Sequence, residues 1–188
     1  IKEGRSPTEI IGVGPADQQD EEGLVVFGDA EPDFQLSWYN TISWKGFDLS
    51  FLWHWKEGGD VINLSALLFD LNETTHDFDD SGLDPDGALP NGPYRLSQLG
   101  INTGPYIEDG TYLRLRNIGL YYTLPSNLFS NIAKVRIGVS GTNIINIFDY
   151  NSYDPEVSNF GNNGLSSSVE VNPFPSAKRY NFHLSVEF

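Results

Sequence analysis

The strictest constraint on this chain is the alternation in residues 180–188, where a large apolar side chain occupies every second position up to Phe188. Successive side chains of a β-strand point to opposite faces, so the pattern predicts a strand with one apolar face and one polar face. Two kinds of fold accommodate such a strand. The apolar face packs on the core of a soluble β-sandwich, or it faces lipid in a membrane-spanning β-barrel.

Four earlier segments share this alternation and are also predicted to be strands. They are residues 34–44, 47–55, 112–123 and 134–146. Lys45 and Gly46 form a two-residue turn of the sort that joins antiparallel strands. The segment 47–55 has about the 9–11 residues that a tilted strand needs to cross a bilayer. In the segment 112–123 the alternation blurs from Asn117 to Leu120, which is compatible with a β-bulge and leaves the facing of the later residues open.

The connections between these strands run short, long, short, long, as in barrels with tight turns on one side and long loops on the other. Residues 1–33 are predicted to be mainly loop, with a short strand at 24–27, and residues 61–71 a short helix. The predicted organisation is a loop region, 1–33, followed by barrel strands within 34–188. The predicted fold class is all-β, an antiparallel transmembrane β-barrel with long extracellular loops. About five strands cannot close a barrel, because the smallest barrels use about eight, so we expect a C-terminal fragment.

Charge, hydropathy and the lack of cysteine argue against several other classes of protein. Residues 34–55, 112–146 and 179–188, which contain the predicted strands, carry six basic and two acidic residues, a net charge of +4, and the rest of the chain carries five basic and 24 acidic residues, a net charge of −19. Acidic connections disfavour nucleic acid as a partner, since phosphates need a basic surface. No run approaches the roughly 18 consecutive apolar residues of a spanning helix. There is no Cys, which excludes a disulfide scaffold and a thiolate metal site.

Several motifs resemble a known family. In order along the chain they are GDAEPDF at 28–34, WKGFDLSF at 44–51, EDGTYLRLRNIGLYYTLP at 108–125, VSGTNIINI at 139–147, YDPEV at 153–157 and the aromatic C-terminus. Together they resemble the C-terminal part of the SusC/RagA family of TonB-dependent outer-membrane transporters. The resemblance covers the chain from about Gly28 onward.

The resemblance implies a place in the bacterial outer membrane, in a 22-stranded barrel with an N-terminal plug. It implies import of a glycan or peptide with a SusD-like surface lipoprotein, driven by the TonB complex through an N-terminal part absent from this chain. The other implied partners are the plug, the remaining barrel strands and membrane lipid. A passive porin and a secreted carbohydrate-binding β-sandwich remain alternatives.

No catalytic constellation stands out, so we expect neither an enzyme nor a cofactor or metal site. The candidates for a substrate path are polar or aromatic residues on polar strand faces or in loops: Tyr39, His54, Arg114, Arg116 and Tyr153. Nothing in the sequence separates them from structural residues of a barrel wall.

Two other features favour ordinary structural roles. Trp38, Trp53 and Trp55 share the parity of the aliphatic residues, which favours lipid contact over a glycan platform. The acidic loop 77–86 carries oxygen ligands suited to Ca²⁺, but twelve residues from Asp77 end at Ala88 rather than at Glu, so it lacks EF-hand spacing. We therefore expect a solvated loop there.

Overall fold

A computed structural model describes residues 6–129, 132–156 and 168–188. Its strands and helices, in chain order, are β1 (Glu9–Gly12), β2 (Val25–Asp29), β3 (Pro32–Trp44), β4 (Phe47–Gly58), β5 (Val61–Asn63), α1 (Leu64–Leu71), α2 (Asn91–Ser97), β6 (Ile107–Glu108), β7 (Tyr112–Thr123), β8 (Lys134–Ile147), β9 (Val169–Glu170) and β10 (Arg179–Glu187). Two short 3₁₀ turns lie at Gly104–Tyr106 and Ser126–Phe129. The chain divides into two compact units.

The strand unit comprises residues 35–56, 112–148 and 176–188. Its five-stranded sheet has the order β10-β8-β7-β4-β3, and the pairs β4–β7, β7–β8 and β8–β10 are antiparallel. The turn between β3 and β4 has positive φ at both Lys45 and Gly46, 47° and 86°. These signs match the twist of a two-residue hairpin, and Gly tolerates them without strain. The turn predicted from the sequence is therefore present.

Apolar and polar side chains segregate to opposite faces of this sheet. One apolar row across four strands consists of Phe182, Val139, Leu120 and Leu49, and the adjacent polar row consists of His183, Gly138, Tyr121 and Asp48. The apolar face is open to the surroundings, since Phe182 is 88% exposed and Leu184 is 71% exposed. Trp38 and Trp55 lie exposed on their strands with the same parity as the aliphatic residues. An exposed apolar face of this extent is unusual for a protein surface in water.

A β-bulge crosses the sheet and widens from strand to strand. Two neighbouring apolar rows cross the sheet here, one through Phe51 and one through Trp53. The number of residues that separate the two rows is one in β4, two in β7 and three in β8. Asn143 in β8 takes up the distortion with a φ of 53°, a left-handed conformation that Asn tolerates better than most residues. The bulge moves the apolar side chains of β7 from odd to even positions, so the blurred alternation near Asn117 does mark a bulge.

The predicted strands agree with those observed to within a few residues at each end. The segment 112–123 matches β7 at both ends, and 47–55 extends to Gly58. The predicted helix 61–71 is a three-residue strand followed by the helix α1. The predicted short strand at 24–27 coincides with β2, whereas β1 has no counterpart among the predicted strands. Part of the predicted loop, 157–167, and Val157 of the motif YDPEV lie outside the described residues.

The loop unit comprises residues 1–34, 57–111 and 149–175. It contains the antiparallel hairpin β1–β2 and a three-stranded sheet in which β5 pairs with β6 and, in parallel, with β9. Helix α1 follows β5 directly. The side-chain oxygen of Asn63 accepts a hydrogen bond from the Ala66 N–H at 2.8 Å and caps the helix. Among the described residues, no helix has the length and apolar content needed to cross a bilayer.

The division of charge follows the two units. The loop unit carries three basic and 24 acidic residues, a net charge of −21, and the strand unit carries eight basic and two acidic residues, a net charge of +6. The core of the loop unit contains several polar side chains, among them Asp70 and Glu170, which are fully buried. Buried carboxylates need hydrogen-bonding partners, and these partners determine the geometry of the unit.

Candidate functional site

The polar face of the strand unit carries an ion pair at the level of the row through His183. Arg136 on β8 donates a hydrogen bond to Asp48 on β4 at 2.8 Å, and its guanidinium lies over the ring of Tyr121 on the intervening strand, 4.7 Å from the centroid. His183 on β10 hydrogen-bonds Ser140 at 2.8 Å. These contacts run across four strands and bound a cavity of about 600 Å³. The ion pair between Arg136 and Asp48 is partly exposed, so it fixes the positions of these two charges more than it stabilises the fold.

A second cluster lies further along the same strands, beyond the bulge. Nη2 of Arg116 lies 3.1 Å from Nδ1 of His54, and its Nη2 also donates to the hydroxyl of Tyr112 at 3.3 Å. Because arginine has no acceptor, Nδ1 of His54 accepts this hydrogen bond and carries no proton. Arg114 also lies near the Tyr112 ring, 5.1 Å from its centroid, and donates to Ser176 at 3.1 Å. The sequence candidates His54, Arg114 and Arg116 thus share one aromatic neighbour.

The five sequence candidates differ in accessibility. Arg114 is fully buried, His54 and Arg116 are half-buried, and Tyr39 is exposed and accepts a hydrogen bond from Thr41 on its own strand. Tyr153 belongs to the loop unit, where its exposed ring packs edge-on against Phe69 with centroids 6.3 Å apart. The structure therefore brings three of the candidates together.

The loop unit is organised around Arg95 of α2. Its guanidinium donates to both oxygens of Asp70 on α1 at 2.6 and 2.7 Å, and to both oxygens of Asp77 at 2.9 Å. The hydroxyls of Tyr106 and Thr75 also donate to Asp70, at 3.2 and 2.5 Å. One cation thereby pairs with two carboxylates and joins α1, α2 and the loop between them. Paired, two-pronged contacts of this kind are the strong form of the Arg–carboxylate interaction.

This arrangement shifts the pKa of several groups in the loop unit. The hydrogen bonds from Arg95 hold the pKa of Asp77 below its ordinary value. Burial, together with the nearby Asp70 carboxylate, raises the pKa of Tyr106 well above its ordinary value. Burial and the hydrogen bond to Glu170 raise the pKa of Tyr150 in the same way. Both tyrosines therefore remain neutral hydrogen-bond donors at physiological pH.

A cavity of about 500 Å³ lies beside α1 in the loop unit. One wall is formed by the end of α1 and the residues after it, including Phe69, Thr74 and His76, and the other by the segment from Tyr150 to Tyr153. The second wall is held by two carboxylates. Glu170 accepts hydrogen bonds from the hydroxyls of Tyr150 and Ser152 at 2.5 Å, and Glu108 accepts one from the Asn151 N–H at 2.8 Å.

Two carboxylates of the acidic loop 77–86, those of Asp77 and Asp84, accept hydrogen bonds from other groups of the protein. Asp77 accepts hydrogen bonds from Arg95 and Asn91, and Asp84 accepts them from the N–H groups of Asp86, Ala88 and Leu89. These backbone hydrogen bonds lower the pKa of Asp84. Within the described ranges, no three His, Cys, Asp or Glu side chains are grouped so as to hold a metal ion.

Sequence reasoning missed Arg95 and the walls of the cavity beside α1. One signal was present for Arg95, because it is the single basic residue between 57 and 111, in a stretch rich in acid. A lone cation among many carboxylates is a candidate for a structural ion pair. The anchors Glu108 and Glu170 had no such signal, since their partners lie 18 to 45 residues away along the chain.

Sequence comparison finds TonB-dependent receptors among the relatives of the chain. No family model matches it. It is 25% identical over 173 residues to TonB-dependent receptor P3 of Formosa agariphila, which covers 87% of the chain and 17% of the relative. It is 28% identical over 195 aligned positions to TonB-dependent receptor P26 of the same organism, covering 94% of the chain and 20% of the relative. The chain thus spans about a fifth of the length of these relatives.

Solved structures of a peptide importer have a similar fold. The chain resembles the RagAB peptide importer in its open-open state with a TM-score of 0.59 at 18% identity, over 91% of this chain and 19% of the other. The closed-closed state matches with a TM-score of 0.56 at 19% identity, over 95% of this chain and 21% of the other. These matches establish the likeness of fold.

The two comparisons agree with the segregated faces of the sheet. The chain resembles a segment of TonB-dependent receptors, and its resemblance to the SusC/RagA family is confirmed by the receptor sequences and the RagAB structures. These relatives are receptors and transporters rather than enzymes.

Proposed function

We propose that this chain forms part of the wall of a SusC-like, TonB-dependent β-barrel in the bacterial outer membrane, which imports a nutrient. The observation that carries the proposal is the continuous exposed apolar face of the five-stranded sheet, with ion pairs and histidines on the opposite face. An apolar outer band and a polar interior are the two faces of a transmembrane barrel strand. The two relatives described above are TonB-dependent receptors, and this likeness supports active import rather than passive diffusion.

In this proposal the polar face lines the substrate path. Tyr39, His54 and Arg116 are accessible enough to contact a passing substrate, whereas the buried Arg114 holds Tyr112 and Ser176 in place. Tyr153 acts in the long connections, which are extracellular in such a barrel. The nutrient is a glycan or a peptide. Hydrolysis or other bond chemistry belongs to partner enzymes.

The partners that we propose are those implied by the resemblance to the SusC/RagA family. A SusD-like surface lipoprotein delivers the nutrient, and the resemblance to RagAB, a peptide importer, supports such a partner. The TonB complex supplies energy through a part of the protein that this chain does not include. The plug, the remaining strands and membrane lipid complete the surroundings of the sheet.

Uptake by cells that carry the intact transporter tests the proposal. Cells should accumulate labelled oligosaccharides or oligopeptides, and deletion of TonB should reduce accumulation to background. Affinity purification of the transporter from membranes should recover a SusD-like lipoprotein in a fixed ratio. Uptake that continues at full rate without TonB would instead indicate a passive porin.

A further inference from the structure

The cavity beside α1 differs in chemistry from the unit around it. The loop unit has a net charge of −21, yet the described residues that line this cavity include no Asp, Glu, Lys or Arg. Its lining consists of aromatic rings, hydroxyls, an amide and the His76 imidazole, among them Phe69, Thr74, Asn151, Ser152 and Tyr153. The carboxylates of Asp70, Glu108 and Glu170 are hydrogen-bonded to lining residues without themselves lining the cavity.

Hydrogen bonds within the protein hold both walls of the cavity in place. On one side, Thr75 donates to Asp70, which is itself held by Arg95, and Thr74 donates to the Phe69 carbonyl at 3.3 Å. On the other side, Glu170 and Glu108 hold the segment 150–152. A pre-formed site loses little conformational entropy when a ligand binds, so modest contacts give useful affinity.

Tyr153 supplies the main contact surface. Half of its surface is exposed, and its edge-on packing against Phe69 restrains the ring. A restrained aromatic face beside hydroxyl and amide groups suits a ligand with one apolar face and a rim of hydroxyls, which is the shape of a pyranose ring. A cavity of about 500 Å³ has room for a short saccharide segment.

We propose that the cavity beside α1 binds one end of a neutral oligosaccharide, and that the transporter therefore imports uncharged glycan. The assignment rests on the proposed import function. Tyr153 stacks on one sugar ring, and Asn151, Ser152 and Thr74 hydrogen-bond its hydroxyls. Sulfated or uronate-rich chains are disfavoured, because the described lining has no Lys or Arg and the surrounding carboxylates repel anions.

Calorimetric titration of the purified intact transporter tests this assignment. The probes are maltohexaose, cellohexaose and laminarihexaose as neutral glycans, a chondroitin sulfate hexasaccharide as an anionic glycan, and penta-alanine as a neutral peptide. At least one neutral glycan should bind, and Tyr153→Ala should raise its Kd about tenfold, which corresponds to about 1.4 kcal/mol. Tyr153→Phe keeps the ring and should raise the Kd by a smaller factor.

Leu71→Ala is the matched control. Leu71 is exposed at the end of α1 and does not line the cavity, so its loss should leave the Kd unchanged. The assignment is overturned if none of the neutral glycans binds, if the sulfated probe binds better than all of them, or if Tyr153→Ala behaves like Leu71→Ala. If these glycans fail while penta-alanine uptake still requires TonB, the saccharide assignment falls and the import function stands. Loss of the TonB requirement itself removes the import function.

Discussion

Arg95 makes the contacts on which the geometry of the loop unit depends. Its side chain is almost fully buried between Asp70 and Asp77, so the three groups must stay together or leave charge without a partner in the interior. Removing one member of a buried ion pair costs more than the pair itself contributes, because the remaining charge stays desolvated. Arg136 and Asp48 offer an exposed counterpart with the same chemistry.

Arg95→Met should loosen the loop unit, whereas Arg136→Met should not. We expect Arg95→Met to lower the free energy of local opening by about 3–5 kcal/mol, since Asp70 is left buried and charged. The matched change Arg136→Met removes a partly exposed pair and should cost about 0.2–1 kcal/mol in the strand unit. Hydrogen–deuterium exchange of the segments 64–78 and 91–106 in the intact transporter measures the first effect. Equal protection in both variants would contradict the central role of Arg95.

The stability of the loop unit should fall at both extremes of pH. Asp77 has a folded pKa below its ordinary value of 3.8, so its contribution is present above that pH and is lost as the pH falls. Tyr106 has a folded pKa above its ordinary value of 10.0, so its contribution is complete below pH 10 and is lost as the pH rises. Hydrogen exchange corrected for its intrinsic pH dependence should show both changes. Asp77→Asn should reduce the acidic change and Tyr106→Phe the alkaline one, and the remainder comes from groups such as Asp84 and Tyr150, whose pKa values are shifted in the same directions.

At the scale of elements, the local sequence pattern predicted the strands. Long-range contacts determined the facing of residues after the bulge and the arrangement of the loop unit. Alternation is a property of a few neighbouring residues, so it located β3, β4, β7, β8 and β10 from the sequence. The bulge shifts parity within β7, so the face of Leu120 became certain only from its pairing with Val139 and Leu49. The pairs that hold the loop unit, such as Arg95 with Asp70, join residues 25 positions apart, and no local period marks them.

The faces of β10 can be tested by placing the same charge on each of them. Leu184 lies on the apolar face opposite Ile137, and Asn181 lies on the polar face opposite Ser140. Leu184→Arg should destabilise the intact barrel in lipid vesicles by about 2–4 kcal/mol if Leu184 is near mid-membrane, because arginine would face hydrocarbon. Asn181→Arg should cost much less. It is a better control than Ser185→Arg, because Ser185 lies opposite Arg136 and an arginine there would face a like charge. Guanidinium titration followed by tryptophan fluorescence gives both values, and equal losses would refute the facing.

At the scale of the whole molecule, the two units favour different surroundings. The strand unit exposes many large apolar side chains on one face, and its charges are mostly basic. The loop unit is strongly acidic, and its fully buried carboxylates Asp70 and Glu170 are hydrogen-bonded to Arg95 and to hydroxyls of the same unit. A high net charge keeps a surface solvated, whereas an extended apolar face requires lipid or another chain. In the proposed barrel, the sheet therefore faces the membrane and the loops face water.

This combination predicts how residues 1–188 behave when expressed alone. In aqueous buffer the chain should aggregate, because the apolar face through Phe182 and Leu184 has no lipid and the outer edge of β10 has no partner strand among the described residues. A mild detergent should cover the apolar face and shift the material toward small, dispersed particles. Sedimentation velocity with and without detergent measures the change. A soluble monomer that unfolds cooperatively in buffer would instead favour a secreted β-sandwich, since only a fold that buries this face on itself is stable in water.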